Sequence, residues 1–156
     1  MKRRSIFLAL PVLLAGCGTP PPKPPAVLSL TITGGANQNP DASGTAEPVA
    51  VRIYPLVTAG KFNAADPYSL LGKATSLLGS DLAGPSEQTI VAPGATVKLM
   101  HKLPDQAQSI GIAVFFRAID RATWRLVAPV KGHETNALTL RIDGLDAKLV
   151  ATKPKG

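Results

Sequence analysis

One cysteine, Cys17, is the only thiol in this 156-residue chain. A lone cysteine closes no internal disulfide and supplies no cysteine-rich metal cluster. Aromatic residues are nearly as scarce, with four Phe, two Tyr and one Trp. A single-stranded nucleic-acid platform needs exposed rings along a basic groove, and these few rings are needed for a core. Histidine occurs only twice, and the ten acidic residues are scattered along the chain. H-E-x-x-H, G-x-S-x-G and S-x-x-K are all missing, so the common zinc-hydrolase and serine-nucleophile patterns do not apply. No apolar run approaches the ~20 residues that a membrane-spanning helix requires.

The charge excess is modest once it is located. The formal net charge is +7, but Lys2, Arg3 and Arg4 supply three of the 17 basic side chains. Without them 14 bases face ten acids, a balance of +4. That favours solubility and is no nucleic-acid signature.

What is present begins with "MKRRS", a basic start, followed by the ten-residue apolar run "IFLALPVLLA". At 1.5 Å per residue that run covers about half of a ~30 Å hydrocarbon core, and Pro11 interrupts it. The combination reads as an export leader over residues 1–16. It runs directly into Leu14-Ala15-Gly16-Cys17, which resembles the bacterial lipobox. That resemblance implies diacylglycerol on the Cys17 thiol, cleavage just before it, and acylation of the new amino group. Gly18 at the next position is not Asp, which implies sorting to the outer membrane. "GTPPPKPP", residues 18–25, then suits a stiff tether. As polyproline II at ~3.1 Å per residue it reaches roughly 25 Å.

From Val27 the hydrophobic period is mostly two. Leu28, Leu30 and Ile32 share one face, as do Val49, Val51 and Ile53, then Val97, Leu99, His101 and Leu103. Trp124-Leu126-Ala128 and Leu138-Leu140-Ile142 repeat the pattern. These are half-buried strands. Ile110 to Phe116 is apolar on both faces and predicts a central strand covered on both sides. Asp143-Gly144 marks a hairpin turn. Residues 58–79 break the alternation: Asp66 before Pro67, then Leu70, Leu71 and Ala74, predict capped short helices. The expected fold is all-β, an antiparallel two-sheet sandwich of about eight strands over residues 27–152, with a helical insert between the second and third strands and a tail at 153–156.

Candidate chemistry is thin. His101 falls on the apolar side of its strand, where a satisfied core or edge histidine is the simpler reading, and His133 sits alone in a loop. Arg117, Arg121 and Arg125 surround Asp120. They read either as a basic patch for a partner or as a hairpin with a local Asp–Arg pair and solvated arginines, and the second is favoured. Residues 34–48, "GGANQNPDASGTAEP", hold turn-forming residues without periodicity, and a loop that long is usually functional or disordered.

Several segments taken in order resemble the TssJ lipoproteins of type VI secretion systems. They are the lipobox with Cys17, "VAVRIYPL" followed by "FNAADPYSLL", then "LGSDL", "VAPGATVKL" and "IGIAVFFRAIDRATWRLVAPV". The resemblance implies a transthyretin-like sandwich and a structural outer-membrane lipoprotein facing the periplasm, with no catalysis and no cofactor beyond the lipid on Cys17. It also implies binding to the periplasmic C-terminal part of the inner-membrane protein TssM, through the loop joining the first two strands. By topology that loop offers Asn37, Gln38, Asn39, Pro40 and Asp41 as contacts. A lipidated periplasmic inhibitor or binding module unrelated to secretion is the alternative.

Overall fold

Period-two alternation becomes two four-stranded sheets packed face to face. The computed structural model describes residues 18–152, so the leader, Cys17 and the last four residues lie outside it. The strands are β1 (Val27–Gly34), β2 (Val49–Leu56), β3 (Glu87–Val91), β4 (Thr96–Lys102), β5 (Ser109–Phe115), β6 (Arg125–Pro129), β7 (Thr135–Asp143) and β8 (Asp146–Ala151). One sheet runs β4-β1-β7-β8 and the other β3-β2-β5-β6. The all-β sandwich expected from the alternation forms, with one pairing of the other sense. β1 and β7 lie parallel, while every other neighbouring pair is antiparallel. Hairpin signals report only strands adjacent in sequence, so a pairing between the first and seventh strands leaves no local trace.

The core fills the space between the sheets. Leu28, Leu30, Ile32, Leu138, Leu140 and Ile142 come from one side, and Val49, Val51, Ile53, Ile110, Ile112 and Val114 from the other. These are the in-phase positions of their strands, which is why the sheets close in this register. Asn136 continues the inward phase of β7 and is buried with it. Its Nδ2 donates to the Lys131 and Glu134 carbonyls at 3.0 and 3.2 Å, and its Oδ1 accepts from Lys131 N–H at 2.7 Å. A buried amide is stable there because it is fully paired.

The second sheet is also covered on its outer face. After β2 come α1 (Gly60–Ala64), α2 (Pro67–Leu78) and a 3-10 turn, Gly79–Asp81. Asp66 caps α2 by accepting from Ser69 N–H at 2.9 Å, with Pro67 at the first helical position. The insert buries Phe62, Leu70, Ala74 and Leu78 against Tyr54, Leu56 and Ala113 of the sheet. Phe62 meets Tyr54 with ring centroids 5.3 Å apart. Gly111 of β5 lies directly beneath, where an added Cβ would sit 2.9 Å from the Phe62 ring. Glycine is required at that spot by close approach. Phe62→Ala is expected to lower stability by about 3–5 kcal/mol, checked by urea unfolding. The first sheet's melting should follow the second's, because both share one core.

Candidate partner-docking site

The loop from Gly35 to Pro48 is built into the end of the sandwich rather than hanging from it. Gly35 N–H donates to Ile142 O at 2.7 Å, Asn39 N–H to Gly144 O at 2.8 Å, and Gly94 N–H to Gly35 O at 3.3 Å. The β7–β8 turn and the β3–β4 turn thus hold it. Gln38 is fully buried, and its Nε2 donates to Val91 O at 2.7 Å and Glu47 O at 3.3 Å. Asn39 is 2% exposed. Its Nδ2 donates to Pro48 O at 2.8 Å, and its Oδ1 accepts the Arg117 N–H at 2.8 Å. The φ of Asn39 is +47°, a left-handed conformation that asparagine tolerates better than most residues. One side chain therefore closes the loop on itself and ties it to the segment after β5.

This geometry revises the expected contact set. Gln38 and Asn39 point inward and have no surface to offer a partner, whereas Asn37 is exposed and Pro40 and Asp41 are half-buried. Ala42 to Thr45 form the exposed crest. Apart from Gln38 Oε1, which is buried without a partner, the loop's buried amides pair with backbone groups that would otherwise be orphaned. The sequence shows that "NQNP" is a turn, but which of its amides turn inward depends on Val91, Pro48 and Arg117, far away in the chain.

Asp41 organises the crest. Its Oδ1 accepts from Ser43 Oγ at 2.7 Å, Ser43 N–H at 2.8 Å and Thr45 N–H at 2.9 Å. The Ser43 hydroxyl, then the Thr45 and Ser43 amides, hold its carboxyl below the usual aspartate range, with a smaller attraction from Arg117. A carboxyl depressed in the folded state contributes order that is complete above its unfolded pKa and is lost as pH falls through its folded one. Amide exchange at Ser43 and Thr45 should therefore be constant, after correction for intrinsic rates, from neutral pH to about 4. Protection should fall below that, and Asp41→Asn should remove the pH dependence.

The three arginines do not form one patch. Arg125 is tied down, donating to Phe62 O at 3.2 Å and Ala65 O at 2.7 Å and lying 4.4 Å from the Trp124 ring centroid. It closes the C-terminal end of α1, so the reading of three solvated arginines is corrected at this residue. Asp120 takes part in none of the ion pairs among the described residues, and the segment turns through a 3-10 turn, Ile119–Arg121, rather than a tight hairpin. Arg117 and Arg121 stay exposed, Arg117 beside the loop. His101 stands on the edge strand β4 with Nε2 3.1 Å from Glu87 Oε2 of β3, a contact across the two sheet edges that lacks hydrogen-bond direction. His133 bonds the Pro24 carbonyl through Nδ1 at 2.8 Å. Among the described residues no three His, Cys, Asp or Glu side chains gather as metal ligands.

With a braced loop at one end and no reactive cluster in the described residues, comparison with known proteins decides the class. A family model described as type VI secretion lipoprotein, VasD, EvfM, TssJ matches residues 26–145. The chain belongs to the TssJ family. The crystal structure of the type VI secretion lipoprotein TssJ1 from Pseudomonas aeruginosa superposes with a TM-score of 0.81 and 31% identity, covering 85% of this chain and all of that one. Serratia marcescens Lip, a membrane-bound component of the type VI secretion system, gives 0.74 and 25%, over 83% of this chain and 99% of its own. A chain of a type VI membrane complex gives 0.71 and 26%, over 80% and 97%. No curated protein sequence matches. TssJ proteins are structural lipoproteins of a secretion machine rather than enzymes, and they carry no cofactor. That is consistent with a molecule whose built features are a core, a clamped insert and a rigid loop.

Proposed function

We propose that this chain is the outer-membrane lipoprotein of a type VI secretion membrane complex. It is lipidated on Cys17, faces the periplasm, and binds the periplasmic C-terminal region of TssM. The leader, lipobox and proline tether support the anchor. Family membership and the likeness to a chain of a type VI membrane complex support the assembly.

The observation that carries the docking reading is the rigid β1–β2 loop. Loops held before binding lose less entropy on docking than mobile ones. Asn39 and Gln38 supply that rigidity from beneath, while Asn37, Pro40 and the 42–45 crest meet the partner beside Arg117. Calorimetric titration of the mature chain with the periplasmic region of TssM tests it. Micromolar or tighter binding that weakens at least tenfold when Ala42–Thr45 are replaced by a Gly-Ser linker is the expected result. Equal affinity for both forms would move the interface elsewhere, and absence of binding would remove the TssM assignment.

A further inference from the structure

One side of the sandwich is joined at the loop end and open at the tether end. Thr123 N–H donates to Leu145 O at 3.0 Å, and Ala147 N–H donates to Thr123 O at 3.1 Å. This isolated parallel bridge is not continued along β6 and β8, which belong to different sheets. Between the two strands lies a cleft of about 440 Å³, within the range of small-ligand sites. Leu126, Ala128 and Pro129 of β6, Leu138 of β7, and Leu149 and Ala151 of β8 line it.

The residues that hold the tether also border this cleft. Glu134 and Asn136 belong to its lining. Val27 N–H donates to Glu134 O at 2.9 Å, and Asn136 Nδ2 reaches Val27 O at 3.5 Å. The neighbouring His133 holds Pro24. The chain leading back to Cys17 thus leaves the domain at the rim of an apolar slot. From Pro24 to Cys17 is seven residues, a reach of at most about 25 Å, and the glyceryl and acyl groups add their own length. Gly18 and Thr19 precede the prolines and leave room for the chain to turn back.

We propose that the cleft receives one acyl chain of the Cys17 lipid when the protein is away from a membrane. This rests on the lipidation proposed above. Hydrocarbon suits walls that are mostly apolar. The C-terminal residues Lys153-Pro154-Lys155-Gly156 are too polar for them. An added peptide strand would find Pro129 without an N–H on the β6 edge. A bilayer accommodates every acyl chain at once and the cleft only one, so the slot empties when the lipoprotein inserts.

The test uses the acylated mature protein and its non-acylated Cys17→Ser counterpart, both with ¹³C-methyl labels. Without vesicles, the Leu126, Leu138 and Leu149 methyl signals of the acylated protein should differ from those of the counterpart. Adding phosphatidylethanolamine–phosphatidylglycerol vesicles should return them to the counterpart's positions. Palmitate added to the counterpart should shift the same signals with one-to-one saturation, and Ala151→Trp, at an exposed rim position, should abolish that shift while the remaining spectrum persists. Coincident methyl spectra of acylated and non-acylated protein would overturn the proposal, as would palmitate shifts that survive Ala151→Trp. Intact mass keeps the two readings apart. A mature chain without added acyl mass refutes lipidation, whereas an acylated chain with unshifted methyls refutes only the cleft.

Discussion

Cys17→Ser, exported through a conventional cleavable leader, is expected to move the protein from the membrane fraction to the soluble periplasm. Each buried acyl methylene contributes about 0.8 kcal/mol, so one chain holds a protein marginally and several hold it firmly. Among the described residues no helix is long and apolar enough to cross a membrane. The change should be near total rather than graded. The melting temperature should stay within about 1 °C, because the core is assembled from Ala26 onward, nine residues past the substituted position. Fractionation with a high-salt wash reads the result. Retention of the variant on membranes after that wash would refute lipid anchoring.

Asn39→Ala is the second change with a large expected effect, and it should act on both folding and docking. It removes the donor to Pro48 O and the acceptor for Arg117 N–H, leaving two part-buried backbone groups unpaired. It also places alanine at a positive φ. Unpaired groups and the left-handed backbone together should cost about 2–4 kcal/mol, a fall of roughly 10 °C in melting temperature. Affinity for TssM should drop with it, although Asn39 offers no surface to the partner. Asn39→Gly separates the two causes: it relieves the backbone term and leaves the hydrogen-bond loss. If Asn39→Ala left both melting and binding unchanged, the loop's rigidity would not rest on this side chain.

Most strands, the Asp66-Pro67 helix start and the Asp143-Gly144 turn were legible because each is written within a few neighbouring residues, whereas β3, five residues mostly exposed, carries no such pattern. Ile110 to Phe116 was legible for the same reason, since apolar side chains on both faces demand cover on both faces. What was not legible depends on long-range pairing. The parallel match of β1 to β7 has no hairpin to announce it. Arg125 looked like one of three surface arginines, and only the arrival of α1 over the second sheet gives it the Phe62 and Ala65 carbonyls. The β1–β2 loop divides in the same way. Composition marked it as a loop, but the inward turn of Gln38 and Asn39 is set by β3 and by the segment after β5. Asn136 was the one hidden feature with a local signal, a polar residue in phase with Leu138, Leu140 and Ile142.

The place of β1 has a mechanical meaning. The proline segment enters at Val27, and the proposed docking loop departs after Gly34, the opposite end of the same eight-residue strand. In the proposed assembly, tension between membrane and partner would run along this strand, over roughly 27 Å. β1 is not an edge. It is flanked by β4 on one side and β7 on the other. A pull along its axis meets both hydrogen-bond ladders in shear, so many bonds must yield together rather than one by one. In that assembly β1 would be the tie rod, gripped by β4 on one side and β7 on the other.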